Sequence, residues 1–433
     1  MSNSLLTPSI IAKEALMQLE NTMVAANLVH RALEGEYSTP VNGNRVGATV
    51  SIRKPVRYTV RDGAVAVAQD TTEGMTSITV DKQKGIDLQF SSTDLTLTIE
   101  SFGERYLKPA MSQLANQVDT DLLSLYKDVP NWVGTPGQNI DSWADFSKAP
   151  ERMDEMAMPI SDRKAILSPA DYWGTTGSLT ALFAGGGKTA ETALRKAQLG
   201  EMADVDTYKA QNIRTHTSGT RDETTPLIRG AGQGRTYGPG TVNATDFVDG
   251  TSGALVKDAV GTRQTLSTDG WDASVTLTQG DIFTIAGVFA VNPVSKATLP
   301  FLRQFVVTAN VTANANAANE TLITVSPAMI VSGAYQTVSA LPADDAVIVP
   351  LGAASGGFRQ NLFFVKQAFG LVMVPMELPE GAVRAARESY EGLSVRVIPY
   401  YDGTNDISNW RFDILYGVKT LYPELAVRAS GTA

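Results

Sequence analysis

The sequence predicts an α+β chain in which one long helix acts as a spine, an extended β-hairpin precedes it and a β-rich domain is inserted after it. Three observations lead there. Between residues 102 and 130, Leu107, Met111, Leu114, Val118, Leu122, Leu125 and Val129 recur at steps of three and four, which keeps one side of a helix apolar. Between 45 and 92 the period drops to two: Val46, Ala48, Val50 and Ile52 alternate, then Ile78 and Val80, then Ile86, Leu88 and Phe90. From 224 to 350 the composition shifts to Thr, Val, Ala, Asn and Gly with little charge, and turn residues separate alternating runs at 274–278, 281–286, 305–311 and 321–325.

Taken in order, Thr7 and Pro8 read as a helix cap and first turn, and Ile11, Ala15, Leu19, Met23 and Ala26 share one face until Gly35 stops the helix. Residues 1–44 are therefore a helical arm. The two alternating segments of 45–92 are joined by a 61–74 connection into a hairpin, with Arg53, Lys54, Arg57 and Arg61 on the first arm and Asp70, Glu73, Asp81 and Asp87 on the tip and second arm. So long a ribbon is marginal in water by itself, and the expectation is that it lies on a neighbouring subunit. In the spine, Pro109 fits the first turn and Pro130 ends the helix, so Lys108 to Val129 would span roughly 33 Å. Its far face, with Ser112, Asn116, Asp119, Lys127 and Asp128, is expected to be wet or to meet a partner.

After the spine, 132–149 reads as a loop into a short helix at 150–158 closed by Pro159. Ala165, Ile166 and Leu167 form a buried strand, and Ser168 and Pro169 start a helix carrying Tyr172, Trp173, Leu179, Leu182 and Phe183. The Asn/Ala tract at 313–318 is a loop at the tip of a small barrel or sandwich. Beyond Gly357 the texture returns to mixed α/β, with apolar strands at 363–365, 371–374, 395–398 and 412–416.

The composition narrows the function. At 433 residues with 43% apolar and 19% charged, the chain is long enough for two to four globular domains, and no apolar run is long enough for a membrane span. No basic region precedes the first apolar residues, so no secretory signal is expected. The absence of cysteine excludes disulfides, thiol catalysis and thiolate metal sites. A net charge of −9 argues against a protein that grips nucleic acid through a basic surface, though not against one that surrounds it.

Chemistry-bearing motifs fail one by one. Gly185, Gly186, Gly187, Lys188 and Thr189 invite a phosphate-loop reading, but Leu182 stands where the motif needs glycine. Two histidines, His30 and His216, cannot build a multi-histidine metal site, and a hydrogen-bonding role suits His216 better than catalysis. Asp402, Asn405 and Asp406 around Gly403 lack calcium-loop spacing and read as a tight turn. No catalytic, cofactor-binding or metal residues are nominated. The candidates that remain concern structure and assembly: Arg53, Lys54, Arg57, Arg61, Asp70 and Glu73 on the hairpin, and Leu107, Met111, Leu114, Val118, Leu122 and Leu125 on the spine.

Three stretches give the chain a family likeness. Arg105-Tyr106-Leu107-Lys108-Pro109-Ala110-Met111, then Asp162-Arg163-Lys164 leading to Leu167-Ser168-Pro169-Ala170-Asp171-Tyr172-Trp173, and Arg411-Phe412-Asp413-Ile414-Leu415-Tyr416-Gly417 resemble the P-twenty-two-like coat proteins of tailed phages. The order of elements along essentially the whole chain supports the likeness. It implies the Hong Kong ninety-seven-type capsid fold: an E-loop hairpin at 45–92, a peripheral domain with the spine at 93–159, an axial domain at 160–223 and 351–433, the latter also returning to the peripheral domain, and an inserted β-barrel-like domain at 224–350. It also implies a non-enzymatic major capsid protein in the virion. Such a protein forms hexamers and pentamers of itself and assembles in the host bacterial cytoplasm with a scaffolding protein and a portal. Its procapsid expands as double-stranded DNA is packaged, and it encloses that DNA without sequence-specific binding, needing neither cofactor nor membrane. No lysine–asparagine crosslink is expected. The rival reading is a β-decorated hydrolase or adhesin.

Overall fold

The computed structural model describes residues 8–31, 49–58, 60–66, 68, 74–91, 103–183, 201–221, 226–231, 235–236, 246–249, 255–257, 263–314, 320–379, 381, 385–390 and 392–432. The chain divides into two compact units, one of Met1–Val50, Ile78–Leu123 and Phe369–Lys419, the other of Ser51–Ser77, Ser124–Ala368 and Thr420–Ala433.

The first unit packs two helices on a sheet. Ile11, Ala12, Ala15, Leu16 and Leu19 make the buried stripe of the helix Pro8–Thr22, which lies against the spine helix Lys108–Leu123 and the strands Ala386–Tyr390 and Leu393–Asp402. The N-terminal helix does not run on to Gly35. It breaks after Thr22, resumes for one turn at Ala25–Leu28, and His30 then pairs with Gly370. The cause is Asp119, which accepts the Val24 N–H at 2.8 Å and the Ala26 N–H at 3.0 Å. These bonds satisfy the free donors of the new turn. The expectation that Asp119 faces water is thus corrected: it sits at 3% exposure among Met111, Leu114, Ala115, Val118 and Leu122.

The spine is also less uniform than a single α-helix. It opens with a π-turn at Gly103–Leu107, continues as α-helix over Lys108–Leu123 and tightens to a 3-10 helix at Ser124–Asp128. A 3-10 turn has fewer residues per turn, so the buried position passes from Leu125, which is only half-buried, to Tyr126.

The sheet of the first unit revises the hairpin. Strands Thr49–Lys54 and Gly74–Thr79 pair with each other, but Lys82–Ser91 turns away and runs antiparallel to Ile407–Thr420, from Tyr416 opposite Lys82 to Ile407 opposite Ser91. The Ile86, Leu88 and Phe90 alternation therefore belongs to a body sheet and not to the arm of a free ribbon. Gly417 is required there, because a Cβ at that position would stand 2.2 Å from the Thr79 carbonyl oxygen.

Beside smaller sheets of two and three strands, two six-stranded sheets dominate the second unit. One has the order Asn131–Val133, Ala426–Ala429, Asn361–Val365, Arg163–Leu167, Val205–Lys209, Glu201–Met202. Val133, Ile140, Phe146, Met153, Leu167, Phe363 and Val427 form a common core with its flanking helices Trp143–Glu155 and Pro169–Phe183. The first of these begins seven residues before Pro150, correcting the loop expected up to Ala149. Ser142 caps it by accepting the Asp145 N–H, and Pro150 lies buried inside it.

The other sheet is antiparallel, in the order Ile348–Pro350, Ile282–Val291, Thr298–Val307, Thr321–Ser326, Gln264–Asp269, Leu227–Ile228. Its first and last strands meet: Leu227 bridges Val347, and the Ile348 N–H donates to Pro226 at 2.8 Å. A closed six-stranded barrel results, filled by Trp271, Phe283, Phe305, Ile285, Leu266 and Val325.

Candidate assembly surfaces

The loop that follows Thr49–Lys54 is the most exposed apolar stretch among the described residues. Val60 is 98% exposed and Val65 79%, and Tyr58 beside them is also open to solvent. Such side chains cost free energy in water, and an extended loop that carries them has the composition of a contact surface. Arg61 shapes the tip itself, donating to the Gly63 carbonyl and, at 3.0 Å, to that of Val65. Arg57 and Lys54 hold the base: Arg57 pairs with Glu424 at 3.0 Å, and Lys54 lies 5.5 Å from the centre of the Tyr422 ring. The backbone of Arg53 lies in the first strand. Asp70 and Glu73 lie outside the described residues, as do the glycine run at 185–189 and most of the 313–318 tract.

The spine candidates are a core. Leu107, Met111, Leu114, Val118 and Leu122 are each 3% exposed or less, with Leu125 half-buried, so they hold the subunit together and offer no surface. Other exposed aromatics include Trp173, Tyr390, and Tyr400 with Tyr401 just before the 402–406 turn. That turn is closed by Asp402, which accepts the Thr404 N–H at 2.9 Å and the Asn405 amide at 2.7 Å.

Sequence reasoning missed the charged groups inside the second unit. Asp281, at the mouth of the barrel, receives His216 Nε2 at 3.0 Å, the Thr278 N–H at 2.8 Å and the Gly219 N–H at 3.1 Å, with Arg221 at 3.4 Å. Burial alone would raise its pKa; His216, Arg221 and the two amides outweigh burial and hold it below the usual carboxylate range. The other ring nitrogen of His216 meets the Tyr126 hydroxyl at 3.1 Å, which bears out its structural role. Arg428 is fully buried and donates to Val129 O at 2.7 Å and 2.9 Å, Gly280 O at 2.9 Å and Gln360 Oε1 at 3.2 Å. Burial pushes its guanidinium down to about 9, still a cation at neutral pH. The one sequence cue was an arginine within the short apolar run Ala-Val-Arg-Ala. Together Arg428 and Asp281 pin the barrel mouth to the strand Ala426–Ala429 and to the end of the spine.

None of this is a reaction centre. Among the described residues no group of three His, Asp or Glu side chains could hold a metal ion, and no helix is long and apolar enough to cross a membrane.

Comparison with known proteins gives a consistent result. The family model described as P22 coat protein, gene protein 5, matches residues 2–431. The major capsid protein of Acyrthosiphon pisum secondary endosymbiont phage 1 is 24% identical over 423 residues, spanning 94% of this chain and 93% of its own. Among solved structures, that of Mycobacterium phage Che8 covers 94% of this chain and 90% of its own at 13% identity, with a TM-score of 0.46. The capsid of Ralstonia phage GP4 covers 94% and 88% at 7% identity, with a TM-score of 0.43.

Proposed function

The chain belongs to the P22 coat protein family, and from that premise we propose how its exposed loop and its barrel serve the shell. It is the major capsid protein of a tailed phage, a structural and non-enzymatic protein that assembles with itself into the phage shell, and we infer for it the Hong Kong ninety-seven-type fold. The family displaces the rival reading of a β-decorated hydrolase or adhesin.

The finer reading is as follows. Subunits form hexamers and pentamers in the host cytoplasm with a scaffolding protein and a portal, and the procapsid expands as double-stranded DNA enters. The net charge of −9 supports an inner surface that leaves packaged DNA free to slide. Residues 1–44 act as an arm, 45–92 as the E-loop with Lys82–Ser91 rooting it in the body sheet, 93–159 as the peripheral domain, 160–223 with 351–433 as the axial domain and its return to the peripheral domain, and 224–350 as the insertion. The loop would seat Tyr58, Val60 and Val65 on a neighbouring subunit, and Asp70 and Glu73 are proposed as further contact residues. Ionic contacts from Arg53 and Arg61 would add orientation more than affinity.

The observation that carries this reading is the exposure of Tyr58, Val60 and Val65 on the loop. Deleting residues 62–72 should leave a folded, soluble subunit that fails to close into shells, as seen by sedimentation and negative-stain microscopy. Normal shells from the deletion would remove the loop from the subunit contact.

A further inference from the structure

The base of the exposed loop is tied to its own chain by the Glu424 carboxylate. Glu424 pairs with Arg57 at 3.0 Å, the two side chains being 34% and 39% exposed. The same loop base is braced on either side. The Arg57 backbone N–H reaches the Tyr335 hydroxyl at 3.3 Å, the Arg57 guanidinium lies 5.9 Å from the Tyr335 ring centre, and Lys54 sits over Tyr422.

The charge of Glu424 is also felt by a buried cation, Arg303, on the barrel strand Thr298–Val307. Arg303 is 4% exposed, and a guanidinium brings five N–H donors that need acceptors. Its Nη1 donates to the Met156 sulfur at 3.6 Å, a weak acceptor, and its Nε has no partner. Burial pushes Arg303 down to about 10, Glu424 is the negative charge that offsets this, and the positive Arg152 adds to it. Arg152 has its own partners, Glu155 at 3.2 Å and the face of Phe301 at 3.5 Å. A buried cation so poorly satisfied is costly, and a carboxylate that approaches it relieves that cost.

We propose that Glu424 is a shared counter-ion: it holds Arg57 when the loop is strapped to the body and turns to Arg303 when the loop is released. Each state keeps one ion pair, so the loop leaves without stranding the carboxylate, and the equilibrium between the states is easily biased. Because every group involved lies in one chain, the strap does not depend on whether the loop tip meets a neighbouring subunit.

Trypsin tests it directly. Cleavage after Arg57 requires that guanidinium to leave Glu424 and enter the protease pocket. Cleavage after Arg61, held by the Gly63 and Val65 carbonyls, serves as an internal reference. On full-length soluble subunits, Glu424→Gln should raise the ratio of cleavage after Arg57 to that after Arg61 by roughly two- to fivefold, the range of a half-exposed ion pair. Arg303→Met, which removes the competitor, should lower the ratio, and Met156→Leu, which takes away the sulfur acceptor while preserving volume, should raise it. A ratio unchanged in Glu424→Gln overturns the strap. A ratio that does not fall in folded Arg303→Met overturns the sharing, and if that variant does not fold, an unchanged ratio in Met156→Leu does so.

Discussion

Asp119 in the first unit and Asp281 in the second are buried alike, at 3% and 2% exposure, yet their pKa values move in opposite directions. Asp119 accepts backbone N–H groups of Val24 and Ala26 and meets no cation among the described residues; burial dominates and raises its pKa. At Asp281 burial also raises, but His216, Arg221 and two amides prevail and the net shift is downward. Depth of burial therefore does not decide whether a carboxylate is welcome in a core. The company of a cation does. One unit uses its buried acid to cap a helix, whereas the other uses it as the keystone of a charged network at the barrel mouth.

The largest expected effect comes from adding a carboxylate with neither kind of partner. Leu122→Asp, on the apolar stripe of the spine, should cost more than about 4 kcal/mol in a urea melt. Asn116→Asp, on the exposed face of the same helix, should stay within about 0.5 kcal/mol. Similar stabilities for the two would misplace the buried face.

Next come the native acids themselves. Asp281→Ala strands Arg221 and His216, and should cost about 3 kcal/mol or more. Asp119→Asn keeps an oxygen for one backbone N–H and removes a buried charge, so it should change stability by no more than about 1 kcal/mol. If the Asp119 substitution proved the worse of the two, the cation would not be what separates the units.

The smallest effect is the pH dependence. Asp281 has a folded pKa below 3.8, so its contribution is fully present above that value and is lost as pH falls through the folded pKa. Asp119 has a folded pKa above 3.8, so its ionised form weakens the fold at neutral pH and the penalty disappears as pH falls toward 3.8. Hydrogen-exchange protection, corrected for intrinsic rates, should therefore rise at the Val24 and Ala26 amides on mild acidification. It should fall at the Gly219 and Thr278 amides under stronger acid. Parallel trends at both pairs would erase the contrast.

Periodicity made the spine stripe, the N-terminal stripe of Ile11, Ala15 and Leu19, and the barrel strands legible before any coordinates. It could not find Asp119, which lies on the buried face by helical geometry but reads as wet because its type is polar. Its partners stand about ninety-five residues earlier, and no local pattern announces them. Pro150 misled in a similar way: a proline signals a helix start, but Ser142 had already capped this one and buried Phe146 and Met153 hold it together. The strand Lys82–Ser91 alternates as well as any hairpin arm does. Its partner was decided by a strand more than three hundred residues away. At the candidate site, the basic character of the loop was visible, whereas Glu424, Tyr335 and Arg303 were not, because ion-pair partners are chosen by the fold.

The closure of the barrel has a mechanical consequence. The entering segment at Leu227–Ile228 and the leaving segment at Ala346–Ile348 are hydrogen-bonded to each other, and beneath them Arg221 clamps the Leu351 and Gly352 carbonyls. A pull transmitted along the backbone of this subunit would reach that neck first and cross it through these transverse bonds. The strands beyond the neck would lie off that path, tied to it at the barrel mouth through Arg428 and Asp281. A subunit stretched along its backbone would therefore load the neck before the barrel's outer loops, which lie farthest from these ties.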